Sequence, residues 1–118
     1  MNLLLLFLLF LFIDVVYLSF TKDYFNHQVY AIQHEKITVD WVSTALCYLV
    51  LVSGLYYFII RPKKSVLDAF LLGILIYAVY ETTNKALFKK WKWETVFIDT
   101  LWGGILFATT TYIFNSLT

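Results

Sequence analysis

Four long apolar runs separated by short polar connections set the pattern of this chain. Leu3 to Phe20 is an almost unbroken series of Leu, Phe, Ile, Val and Tyr. At about 1.5 Å per residue it crosses most of a ~30 Å hydrocarbon core, which predicts a first transmembrane helix. No Lys or Arg precedes this run and no small-residue cleavage site follows it, so it reads as a retained span rather than a secretory signal. Trp41 to Ile60 predicts a second span, stopped by Arg61, Pro62, Lys63 and Lys64. A proline followed by bases makes a tight charged turn that leads back into the membrane. Val66 to Phe88 predicts the third span and Glu94 to Phe114 the fourth.

The connections differ in kind. Thr21 to Asp40 carries Lys22, Asp23, His27, His34, Glu35, Lys36 and Asp40, but is studded with Tyr24, Phe25, Val29, Tyr30, Ile32, Ile37 and Val39. That mixture predicts an amphipathic, partly helical segment in the membrane interface. His27 and His34 are read as ordinary interfacial histidines rather than metal ligands. Lys89, Lys90, Trp91, Lys92 and Trp93 form the third connection. Alternating Lys and Trp suits a membrane boundary, with indoles at the headgroups and ammonium groups reaching outward. The fold expected is therefore an all-α, integral membrane, four-helix antiparallel bundle. It forms one transmembrane domain over 1–118, with an amphipathic interfacial segment between helices 1 and 2.

Composition agrees with that expectation. Of 118 residues, 61% are hydrophobic and 20% aromatic, more apolar surface than a soluble domain of this length can hide. The lipid bilayer is thus the expected partner. A net charge of +1 gives no reason to expect nucleic acid. Cys47 is the one cysteine, which excludes an intramolecular disulfide and a cysteine-based metal site. No metal site is expected, and the pattern implies no particular cofactor.

What the bilayer does not explain is the polar content of the spans. Asp14, Glu81, Asn84, Lys85, Asp99 and Trp102 lie inside apolar runs. In an antiparallel arrangement, Asp14, Glu81, Asn84 and Asp99 all fall roughly 6 to 11 Å below one surface, the side that holds the first and third connections. They predict a single polar layer, drawn from helices one, three and four. Glu81, Asn84 and Lys85 stand at i, i+3 and i+4, so they share a face and Glu81 can pair with Lys85. Asp99, Trp102 and Gly103 share a face on the fourth helix. Thr82, Thr83 and Thr100 can bridge helices or bond back to their own carbonyls. Three carboxyls against one ammonium leave excess negative charge, which calls for a proton, a cation or water.

These residues resemble a known family. Gly73, Tyr77, Tyr80, Glu81, Thr83, Asn84, Trp91, Asp99, Trp102 and Gly103 resemble the pattern of domain-of-unknown-function family 2177, small predicted four-helix membrane proteins. Asp14, Tyr17 and Leu18 resemble its N-terminal Asp-x-x-Trp-Leu, and Pro62 falls at its proline before the third helix. Glu81 stands where Asp is usual and Tyr17 where Trp is usual. The resemblance implies Tyr17, Tyr77, Tyr80, Thr83 and Gly103 as supporting residues. It brings no biochemical activity, only an association of bacterial members with enzymes of unusual fatty acids.

Three functions fit. The first expectation is a structural or accessory membrane protein in which the layer glues helices together. The second is proton or ion translocation or sensing through Asp14, Glu81 and Asp99, tuned by Lys85. The third is a lipid-binding or lipid-modifying protein whose layer opens sideways at headgroup depth. No HExxH, phosphate loop or Ser–His–Asp arrangement occurs, so catalysis would need carboxylates or a partner protein. Counting bases puts both termini outside, whereas the compact Arg61–Lys64 turn argues the reverse. Two glycine-bearing faces admit a homo-oligomer or a membrane partner protein.

Overall fold

A computed structural model describes residues 3–34 and 40–118. Four helices follow one another: α1 Leu3–Gln33, α2 Trp41–Leu55 continued by a π-helical turn Tyr56–Ile60, α3 Val66–Leu87 and α4 Trp93–Leu117. Each is long and apolar enough to cross a membrane. Together they form the expected all-α bundle, and the protein is an integral membrane protein.

The boundaries follow local chemistry. Asp40 accepts from the Val42 and Ser43 amides and from the Ser43 hydroxyl, capping α2. Ser65 accepts from the Asp68 amide at 3.0 Å and starts α3, satisfying one of the free donors at a helix start. Between them, the Arg61 amide donates to the Tyr56 carbonyl at 2.8 Å, closing the π turn, while its guanidinium lies 5.5 Å from the Tyr57 ring centre. Lys63 completes the reversal at φ 59°.

Helix α1 is longer than its apolar run. Its 31 residues reach about 46 Å, so the amphipathic stretch from Thr21 to Gln33 continues the first span without a break. His34, at φ 60°, ends it, its amide bonded to the Tyr30 carbonyl at 2.8 Å. The rest of the expected amphipathic segment, Glu35 to Val39, lies outside the described residues. The helix persists because Gln28 is anchored. Its amide nitrogen donates to the Lys90 carbonyl at 2.7 Å, and its oxygen accepts from the Lys92 amide and the Thr95 hydroxyl, both at 3.0 Å.

Helix α4 is central, with α3 packed closely along it. Glycines permit that approach: a Cβ at Gly73 would collide with the Gly103 carbonyl oxygen, and one at Gly103 with the Tyr77 ring. Gly54 of α2 has open space around it. The half of the bundle far from the first and third connections is filled by Leu6, Phe10, Val52, Leu55, Ile59, Ala69, Leu106, Phe107 and Phe114. Phe10 and Phe107 meet edge to face at 5.4 Å. The buried carboxyls gather in the other half.

Candidate functional site

The site begins with two short repeats of spacing. Asp14 and Tyr17 are three residues apart on α1, and Asp99 and Trp102 are three apart on α4, so each pair shares a helix face. Because the helices are antiparallel, the pairs cross. The Trp102 indole N–H donates to Asp14 Oδ1 at 2.9 Å, and the Tyr17 hydroxyl donates to Asp99 Oδ1 at 3.3 Å. Between these bonds the Tyr17 and Trp102 rings stack, 4.3 Å apart and 3° from parallel. Each helix supplies one carboxyl and one aromatic donor, a reciprocal latch that fixes the register of α1 on α4.

Two further donors complete the surroundings. The Tyr48 hydroxyl of α2 donates to Asp14 Oδ2, which brings the second helix into the layer. The Trp91 indole N–H donates to Glu81 Oε1 at 2.8 Å. Glu81 is completely buried, Asp14 is 7% exposed and Asp99 8%. The Glu81 carboxyl lies beside that of Asp99. Glu81 Oε2 is buried and has no hydrogen-bond donor.

Several expectations need correction. Lys85 does not neutralise Glu81: its ammonium lies 5.6 Å from the Trp93 ring centre, a cation–π arrangement. Among the described residues, no base pairs with any of the three carboxyls. The boundary reading of the third connection holds for Trp93, which is 59% exposed, but not for Trp91, which is 6% exposed and tucked under Glu81. A folded-back loop has converted an interfacial indole into a buried donor. Asn84 interacts with the Tyr80 hydroxyl one turn away rather than joining the carboxyls. Tyr80 itself is largely exposed.

The threonines divide. Thr82 and Thr83 bond back to the Ala78 and Val79 carbonyls, each at 2.6 Å, whereas the Thr100 hydroxyl is buried without a partner. Gly103 contributes by admitting the Tyr77 ring. Tyr77 lies close to Asp14, Asp99 and Tyr48. Among the described residues its hydroxyl makes no hydrogen bond.

Sequence reasoning missed Tyr48, Gln28, Tyr24 and Thr95 as polar partners. Tyr24 and Thr95 share a 2.7 Å hydrogen bond between hydroxyls, and Gln28 and Thr95 are buried. Gln28 falls on the same α1 face as Tyr24 and, two turns farther back, Tyr17, which was the available signal. Tyr48 could have been found by depth, since it lies about two turns inside α2 from the same surface as Asp14.

The arrangement is a dense acceptor layer held by neutral aromatic donors. Among the described residues, no group of His, Cys, Asp or Glu side chains is arranged to hold a metal ion. No curated protein and no solved structure matches the chain. One family model, described as predicted membrane protein (DUF2177), matches residues 1–115, nearly the whole bundle including every residue of the layer. The chain therefore belongs to the DUF2177 family of predicted membrane proteins.

Proposed function

We propose that this membrane protein holds an exchangeable proton between Glu81 and Asp99 and uses it to sense or pass protons within the membrane. The observation that carries this reading is Glu81 Oε2, buried and without a donor beside a second carboxyl. Ionised carboxylates only accept hydrogen bonds, so two facing each other gain nothing from contact. A proton on one turns it into a donor to the other. The absence of a paired base in the described layer supports the same conclusion. A purely structural role accounts for the Asp14–Trp102 and Tyr17–Asp99 bonds. It leaves Glu81 Oε2 unexplained.

Infrared titration of the protein in lipid nanodiscs tests the proposal. A carbonyl band from a protonated carboxyl is expected at neutral pH, fading as pH rises and missing from Glu81→Gln. A neutral-pH spectrum without such a band, or one unchanged in Glu81→Gln, rejects the shared proton. If the band is present, proteoliposomes carrying Glu81→Gln should dissipate an imposed pH gradient more slowly than wild type.

A further inference from the structure

The polar layer is not closed on all sides. Between α1, α2 and α3 a groove of about 340 Å³ opens on the outer surface of the bundle, lined by Asp14, Ser43, Thr44, Cys47, Tyr48, Leu51 and Tyr77. That volume lies within the range of small-molecule sites, roughly 300 to 1,000 Å³. Ser43 and Thr44 are within one turn of the Asp40 cap, so one end of the groove is at the membrane surface. Leu51 lies about two turns deeper.

We infer that this groove takes the headgroup of a membrane lipid bearing a primary amine, with the ammonium on Asp14 and the acyl chains running toward Leu51. Charge complementarity selects the ligand. Asp14 receives two neutral donors, from Tyr48 and Trp102, and an ionised carboxylate has about four acceptor positions. Tyr77 lines the same groove, and a tyrosine hydroxyl can accept as well as donate. An –NH3+ group brings three N–H donors and a compensating charge. A quaternary ammonium brings charge without donors, which leaves those acceptors empty.

The test uses the full chain reconstituted in bilayers with equal amounts of phosphatidylethanolamine and phosphatidylcholine, re-extracted in mild detergent at constant pH, with the co-purified lipid quantified. Wild type is expected to retain phosphatidylethanolamine over phosphatidylcholine by about tenfold, a ratio that one charge-assisted contact can sustain. Asp14→Asn should return the ratio to that of the bilayer. Cys47 is exposed and lines the groove, so wild type labelled there with a bulky maleimide should lose the preference without any change at Asp14. Equal retention of the two lipids by wild type overturns the inference, as does a preference that survives either change. If Asp14→Asn is not recovered folded, the Cys47 label decides alone. The measurement needs no proton at Glu81, so its result and the infrared result stand or fall separately.

Discussion

The half of the bundle around Phe10 and Phe107 and the half around Asp14 and Asp99 are built from the same helices but held in different ways. In the first, contact is apolar and non-directional: Leu6, Phe10, Leu55, Leu106 and Phe107 are completely buried against one another. Lipid tails are as apolar as these side chains, so cohesion comes from close packing rather than from escape from water. In the second half the contacts are few and directed. Trp102 reaches Asp14, Tyr17 reaches Asp99 and Trp91 reaches Glu81. Packing brings the helices together, while the donor–acceptor pairs specify one register.

Four substitutions and one titration probe that division, in order of expected effect. Phe107→Ala should cost about 3 kcal/mol by leaving a cavity beside Phe10, measured by reversible unfolding in bicelles. A loss comparable to that of a single latch bond would break the contrast between the halves. Gly73→Ala drives a Cβ into the Gly103 carbonyl, and about 2 kcal/mol should be lost as α3 and α4 are pushed apart. The same assay reads it, and a neutral result would mean that the close approach of α3 to α4 is dispensable.

Trp102→Phe keeps a ring to stack on Tyr17 but removes the indole donor. A loss of about 1 kcal/mol is expected, and a double-mutant cycle with Asp14→Ala should assign most of it to that bond. Zero coupling would leave the latch without energetic content. Thr110→Val removes a hydroxyl that is buried without a partner in the apolar half and should raise stability by about 0.5 to 1 kcal/mol. Destabilisation would reveal a polar role in the half described as apolar.

The smallest effect concerns the start of α2, at the rim of the polar half. Bonds from the Ser43 hydroxyl, the Ser43 amide and the Val42 amide hold the Asp40 carboxyl below the usual carboxylate range. A lowered native value means that its contribution to capping is complete above the ordinary aspartate range, near about 4. It is lost as pH falls through the lowered value. Hydrogen exchange at Val42 and Ser43 should quicken relative to the middle of α2 as acid is added. In Asp40→Ala that extra acid dependence should be absent.

Much of this was legible in the sequence because membranes write simple patterns. The apolar lengths place the four spans, and the turn at Arg61 to Lys64 forces the second reversal. The matching depth of Asp14, Glu81 and Asp99 foretold that they would gather at one level. Helical spacing failed at Glu81 and Lys85, where an i,i+4 pair suggests an ion pair but Trp91 and Trp93 take the two side chains separately. Spacing records which residues share a face; it is silent on a competitor arriving from the next loop.

The sequence by itself determined that this is a membrane protein with four helices long and apolar enough to cross a bilayer, because residue hydropathy and helical rise are local properties. Only the tertiary structure decided which neutral donors meet those carboxyls, that Lys85 stays away, that Glu81 Oε2 is left bare and that a groove reaches Asp14 between α2 and α3. Those outcomes depend on rotation and close approach of helices far apart in the chain. They are set by packing at Gly73, Gly103 and Phe107 together with the directed bonds of Trp102 to Asp14 and Tyr17 to Asp99.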